Sequence, residues 1–274
     1  MKEEMMKIRE IIEEIEAIAP LPLQEDYDNA GIQVGDIQLD VTGVLLCLDV
    51  TEEVIDEALD LKCNLIISHH PLIFKPLKSI TGKTYIERCI QKACKHDLVI
   101  YSAHTNLDNA WGGVSFRMAE KLGLQNIRTL SPSPVSPIQD DDDVLLRAGA
   151  GAIGELLLPE DEVSFLQTIK TVFHQDTLKH SQLCNKKIHT VAVCGGSGAF
   201  LLPEAIACEA DVFITGEAKY NDFFDAENHI LLVAAGHYET EIFTKELFFE
   251  VITKKIPTFA VHFSNADTNP VNYI

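Results

Sequence analysis

Basic residues are scarce in this 274-residue chain: 22 Lys and Arg stand against 42 Asp and Glu, a formal charge of −20. A surface that acidic repels phosphate backbones and anionic headgroups, so neither non-specific nucleic-acid binding nor docking on an anionic membrane is expected. It favours divalent cations, although ordinary solubility explains the acidity without any specific role. No apolar run is long enough to span a bilayer, and Met1–Arg9 is charged and lacks a secretory core. The cysteines, Cys47, Cys63, Cys89, Cys94, Cys184, Cys194 and Cys208, include no C-x-x-C pair and are odd in number. That argues against a disulfide framework or a zinc finger and for reduced thiols, so the expected location is cytoplasmic. A G-x-G-x-x-G fingerprint and a P-loop Lys are also missing, which leaves a nucleotide-binding oxidoreductase as the weakest option.

What is present suits a large core. Hydrophobic residues make up 46% of the chain, enough for one big domain or two modest ones. Ile8, Ile11, Ile12, Ile15 and Ile18 recur at helical spacing, and Pro20 and Pro22 follow them. Gln24–Gly35 reads as a loop holding Asp26, Asp28 and Asn29. Strands are expected at Gly43–Val50, Leu65–Ile67 and Leu98–Tyr101. Between them lie a helix capped by Thr51 and another from about Thr84 to His96. Gly112-Gly113 opens a further helix. The alternation predicts a parallel sheet wrapped by helices.

The texture changes at 131–147, where Ser131-Pro132-Ser133-Pro134 and then Asp140–Asp143 read as an exposed linker. Beyond it come a helix over Val163–Phe173, strands at Val191–Cys194, Val212–Ile214, Ile230–Ala234 and Thr258–Phe263, and a last long helix opened by Gly236-His237. The predicted organisation is therefore two α/β halves with mostly parallel sheets and helices packed on them, 1–130 and 148–274, joined by 131–147.

Ser68-His69-His70-Pro71 follows a buried strand, where open α/β sheets keep their ligands. Two adjacent rings on an extended chain diverge, so they suit two neighbouring metals, or one metal and a supporting role. His104 and Asp108 lie four apart after another strand. His237 and Glu241 share that spacing at a helix start, which places both on one face. Read alone, His237 and Glu241 are more readily a helix-surface pair, and His104 and Asp108 are equally a capped ring and a loop acid. Three loops delivering imidazoles and carboxylates together point to a metal site, and mixed N/O ligands suit Zn, Mn, Fe, Co or Ni better than Ca. Gly195-Gly196-Ser197-Gly198 reads as turn geometry, with phosphate contact as the minor alternative.

Five stretches then occur in a familiar order: Ser68-His69-His70-Pro71-Leu72-Ile73-Phe74; Ala103-His104-Thr105-Asn106-x-Asp108; Val193-Cys194-Gly195-Gly196-Ser197-Gly198; Asp211-Val212-x-Ile214-Thr215-Gly216-Glu217; and Gly236-His237-Tyr238-Glu239-x-Glu241. Over about Met6–Leu130 and Gly149–Ile274 the chain resembles the dinuclear metal centre proteins, the NIF-three-like family often labelled GTP cyclohydrolase 1 type 2 homologues. The resemblance implies two divalent ions between the halves: His70 and Asp108 on one, His69 and His237 on the other, Glu241 bridging, and His104 beside them, behind the ligands. If the site activates water, an imidazole at His104 suits a proton shuttle. The resemblance also implies a ring-shaped homohexamer and an unknown small-molecule substrate. Longer relatives carry an inserted domain where this chain has its Ser/Pro/Asp linker. Asn221 stands where many relatives have a His. A metal-dependent hydrolase acting on a nucleotide or another phosphate-containing small molecule is the expected function; a non-catalytic metal-binding scaffold is the alternative.

Overall fold

The computed structural model describes residues 6–133, 147–257, 259–272 and 274. It is an α/β protein whose chain divides into two compact units, Met1–Leu107 with Thr244–Ile274, and Asp108–Phe243.

The first unit is built on a sheet in the order β1 (Gly31–Val34), β4 (Val99–Ser102), β3 (Leu65–Ser68), β2 (Val44–Cys47) and β11 (Val261–Phe263). β2, β3, β4 and β11 run parallel, and β1 is antiparallel on the edge. The three central strands are buried at every position, as continuous Val/Leu/Ile runs require when both faces are covered. Helix α1 (Ile8–Ile18) buries Ile8, Ile11, Ile12 and Ile15, the stripe its spacing predicts. Thr51 caps α2 (Glu52–Asp60) and Thr84 caps α3 (Tyr85–Lys95), each hydroxyl accepting from the backbone three residues on.

The second unit carries a sheet in the order β5 (Gln125–Pro132), β6 (Gly149–Asp161), β8 (Lys187–Cys194), β9 (Val212–Thr215), β10 (Leu231–Ala234) and β7 (Lys179–His180). Only β8, β9 and β10 are mutually parallel; the pairings β5/β6, β6/β8 and β7/β10 are antiparallel. Phe165, Ile169 and Phe173 on and after α4 (Glu162–Val172) pack with Val191, Val212, Ile214 and Val233 in its core.

Four expectations change. The sheet of the second unit is mixed rather than mostly parallel, because β5 and β6 add an antiparallel pair beside the parallel core. Ser131 and Pro132 are not linker but the end of β5, paired with Ala150 and Gly149. The segment at 131–147 thus joins two neighbouring strands of one sheet, while β11 returns to the first sheet beside β2. Pro134 and Asp140–Asp143 lie outside the described residues. The expected last long helix is two pieces, His237–Glu241 and Thr244–Lys255, and Gly31–Val34, read as loop, is an edge strand.

Candidate metal centre

Parallel register levels the C-terminal strand ends in each unit. In the first, Cys47 pairs with Ser68 and Ser68 with Ser102. Two residues beyond that row stand Asp49, His70 and His104. The pairing outlasts the strands: His70 N–H donates to Leu48 O (3.0 Å) and Ala103 N–H to Ser68 O (3.0 Å). Ser68 Oγ donates to His70 O (2.9 Å) and lies 2.8 Å from Ser102 Oγ, which fixes the backbone of the double-His turn.

Here the rings of His69, His70 and His104 meet. Their centroids are 5.0, 5.2 and 5.4 Å apart, and one ligand nitrogen from each lies within 4.8 Å of the others. Each Nδ1 faces an oxygen that can only accept: Ala103 O for His69 (2.8 Å), Asp49 Oδ1 for His70 (2.7 Å) and Asp28 Oδ1 for His104 (2.8 Å). Nδ1 therefore carries the proton in all three neutral rings, and Nε2 carries the lone pair that a metal takes. Metal-ligating histidines are braced in this way, since the outer acceptor sets both tautomer and ring angle. The donor set fits a divalent transition ion.

Asp28 is itself clamped. Its Oδ2 accepts from Thr105 N–H (3.0 Å) and Thr105 Oγ (2.5 Å), and its side chain is sealed from solvent. Burial would raise this carboxyl, but the bonds from His104 and Thr105 outweigh burial and hold it down at about 2. It stays ionised at neutral pH.

In the second unit Cys194 is level with Thr215, and Thr215 with Ala234. Two residues beyond stand Gly196, Glu217 and Gly236, with His237 next. Gly236, at φ 91°, turns the chain into α5 (His237–Glu241), a conformation that glycine adopts without strain. The i,i+4 spacing then brings His237 Nε2 to 3.1 Å from Glu241 Oε2. A carboxylate oxygen of Asp108 lies within 4.8 Å of one from Glu241. Both acids border the buried Cys194, whose thiol is pushed up to about 12, chiefly by burial and then by the charge of Asp108. Glu217 Oε1 stands 3.4 Å from His237 Nδ1, and Ser197 Oγ donates to Glu217 Oε2 (2.8 Å).

The glycine turn after β8 makes room for Glu241. A Cβ on Gly196, which has φ +56°, would collide with the Glu241 carboxylate. Gly196 N–H donates to Thr240 Oγ1 (3.1 Å) and Gly198 N–H to Thr215 Oγ1 (3.0 Å). Those amides hold the turn together rather than cradling phosphate. Asn221 is exposed beside the short helix Asp222–Asp225.

Among known proteins, the profile of the Duf34/NIF3 family (NGG1p interacting factor 3) matches residues 6–270. The chain belongs to this family. A "GTP cyclohydrolase 1 type 2 homolog" of Clostridium perfringens is 35% identical over 237 residues, 86% of this chain and 87% of that one. A Lactococcus lactis relative of the same name is 32% identical over 97% of this chain and 98% of its own length. The crystal structure of a Bacillus cereus protein related to NIF3 superposes with a TM-score of 0.88 at 26% identity, covering 99% of this chain and 100% of the other.

Within this NIF3 chain, three of the residues named from sequence, His69, His70 and His104, converge in the first unit. The other three, Asp108, His237 and Glu241, belong to the second. The ring of His104 lies with those of His69 and His70 in one group that could hold an ion. Sequence reading missed Asp28 and Asp49 as braces. The available signal was an acid directly after the first parallel strand, Leu48-Asp49, and one in the loop ahead of β1.

Proposed function

We propose that this NIF3 protein binds two divalent ions, drawn from Zn, Mn, Fe, Co and Ni, and uses them as a metal-dependent hydrolase. The reading joins the imidazoles of the first unit to the acids of the second: His70 with Asp108, His69 with His237, and Glu241 bridging. The observation that carries it is the bracing of three converging imidazoles through Nδ1 by Ala103 O, Asp49 and Asp28, an arrangement with little purpose unless Nε2 is to be held at a fixed angle.

A pair of divalent cations lowers the pKa of water and offsets charge developing on a phosphoryl, amide or ring-carbon centre. The chain's own residues supply the rest. Asp28 keeps His104 in the Nδ1–H tautomer, so Nε2 can accept a proton from the attacking water and return it to the leaving group. Asp49 fixes His70, and the cleared space at Gly196 lets the buried Glu241 carboxylate take its position. The relatives' shared name puts a nucleotide among the first substrates to test. The protein then acts in the cytoplasm as a ring-shaped homohexamer on a small molecule, without nucleic-acid or membrane partners.

A non-catalytic metal-binding scaffold is the second reading. A formal charge of −20 favours it, because such a field repels nucleotide phosphates. A panel of nucleotides and phosphoesters, run with the metal-loaded protein beside His237→Ala and Glu241→Ala, separates the two. Metal-dependent turnover abolished by both changes supports the hydrolase; metal lost from both variants, with no turnover in any form, supports the scaffold.

A further inference from the structure

The carboxylates behind His70 and His104 are held in different ways. Asp28 is clamped by Thr105, immediately after His104 in the chain. Asp49 is 33% exposed, and its second oxygen takes a hydrogen bond from much further away: Thr268 Oγ1 donates to Asp49 Oδ2 at 3.1 Å, across 219 residues of sequence. Its first oxygen accepts from His70 Nδ1 at 2.7 Å. Thr268, Asp49 and His70 therefore form one line from the C-terminal segment to a candidate ligand.

That segment is anchored before it arrives. Ser264 N–H continues the sheet by donating to Leu46 O (2.8 Å). Glu57 accepts from Ser264 Oγ (2.5 Å), Asn265 N–H (2.9 Å) and Asn265 Nδ2 (3.1 Å). Burial opposes ionisation of Glu57, but these bonds prevail and its pKa is lowered. Asp267 then accepts from Asn269 N–H (3.1 Å), and Asn269 Oδ1 from Val271 N–H (3.0 Å), a pair of Asx turns that fixes the backbone around Thr268. A segment tied down on both sides of Thr268 can hold an exposed carboxylate against rotation.

We propose that the segment after β11 is a positioning element of the metal centre, and that Thr268 acts through Asp49 to fix the angle of His70. The proposal rests on the metal-binding reading above. With only one oxygen engaged, Asp49 can turn towards water, and His70 loses the acceptor that aims Nε2.

Co²⁺ is the probe, titrated into the full-length metal-free protein and followed by its visible absorption. Asp49→Asn should weaken binding at the His70 position about 10- to 100-fold. Thr268→Val should weaken it about 3- to 10-fold, the loss of one part-exposed hydrogen bond of ordinary strength. Thr268→Ser should restore it, and Asp49→Asn/Thr268→Val should bind no worse than Asp49→Asn alone. The melting temperature of the metal-free protein should fall by no more than about 4 °C in Thr268→Val. Native affinity in Thr268→Val overturns the proposal. So does a fully additive double variant, or an affinity loss that merely follows a loss of fold stability. Failure of the native protein to bind Co²⁺ would retire the metal reading instead. The proposal is then decided in the metal-free state by NMR of the His70 Nδ1–H proton, whose exchange should quicken severalfold in Thr268→Val and recover in Thr268→Ser. Unchanged exchange overturns it.

Discussion

The two units present their strand ends alike but hold their candidate ligands differently. In the first, rings are aimed by acceptors that are enclosed or tied down: Ala103 O, Asp28 with no side-chain exposure, and Asp49 gripped at both oxygens. In the second, the ring of His237 is 34% exposed and its brace, Glu217, is 60% exposed at 3.4 Å, whereas the acid Glu241 is buried. One unit contributes a preset imidazole group. The other presents a sheltered carboxylate and a part-exposed ring beside a longer, solvated acid contact. A hydrogen bond shielded from water fixes geometry, while an exposed one competes with solvent.

The largest effect expected from this contrast is at the braces. Asp28→Asn should lower Co²⁺ affinity about 10- to 100-fold, as loss of an outer-shell acceptor does. Glu217→Gln should cost only a few-fold, because its brace is long and solvated. Equal losses in the two variants, measured by the same titration, would erase the distinction.

Gly196→Ala tests the sheltered side. A methyl there meets the Glu241 carboxylate at a φ of +56°, so backbone and side chain are both strained. The variant should lose about 1–3 kcal/mol of stability, read by chemical denaturation, together with part of its bound metal.

A pH titration of the metal-free protein, run beside Asp28→Asn, addresses the first unit through their difference. The folded Asp28 carboxyl sits at about 2, below its ordinary 3.8. Its contribution is therefore complete above pH 4 and disappears as pH falls towards 2. It should amount to roughly 2 kcal/mol. Asp28→Asn should flatten that part of the stability profile, and an unchanged slope would show that the clamp does not bear on folding. The smallest effect is expected at Asn221: being exposed, its change to His should shift stability by no more than about 0.5 kcal/mol in either direction.

Much of this was legible because it is local. The isoleucine stripe of α1 is set by spacing within eleven residues. The central strands are unbroken apolar runs, and the histidine motifs sit directly after them. The His237–Glu241 pair needs only one helical turn. What stayed hidden depends on contacts that no window of sequence contains. Asp28 reaches His104 across 76 residues and Asp49 reaches His70 across 21, so neither acid looks different from a solvated one until the strands are in register. β5 ends in Ser131-Pro132, which reads as linker, yet these residues pair with Ala150 and Gly149 at the start of β6. The edge strand Gly31–Val34 is bracketed by glycines and carries one polar residue, too little for a pattern of its own.

Elemental analysis of metal per chain, after divalent-metal loading and exhaustive dialysis, tests the central claim most directly. The native protein should retain two divalent ions per chain, and His69→Ala and His237→Ala should each retain fewer, though their ligands come from different units. A native protein that keeps none, or one whose metal content is unmoved by either change, would contradict the account.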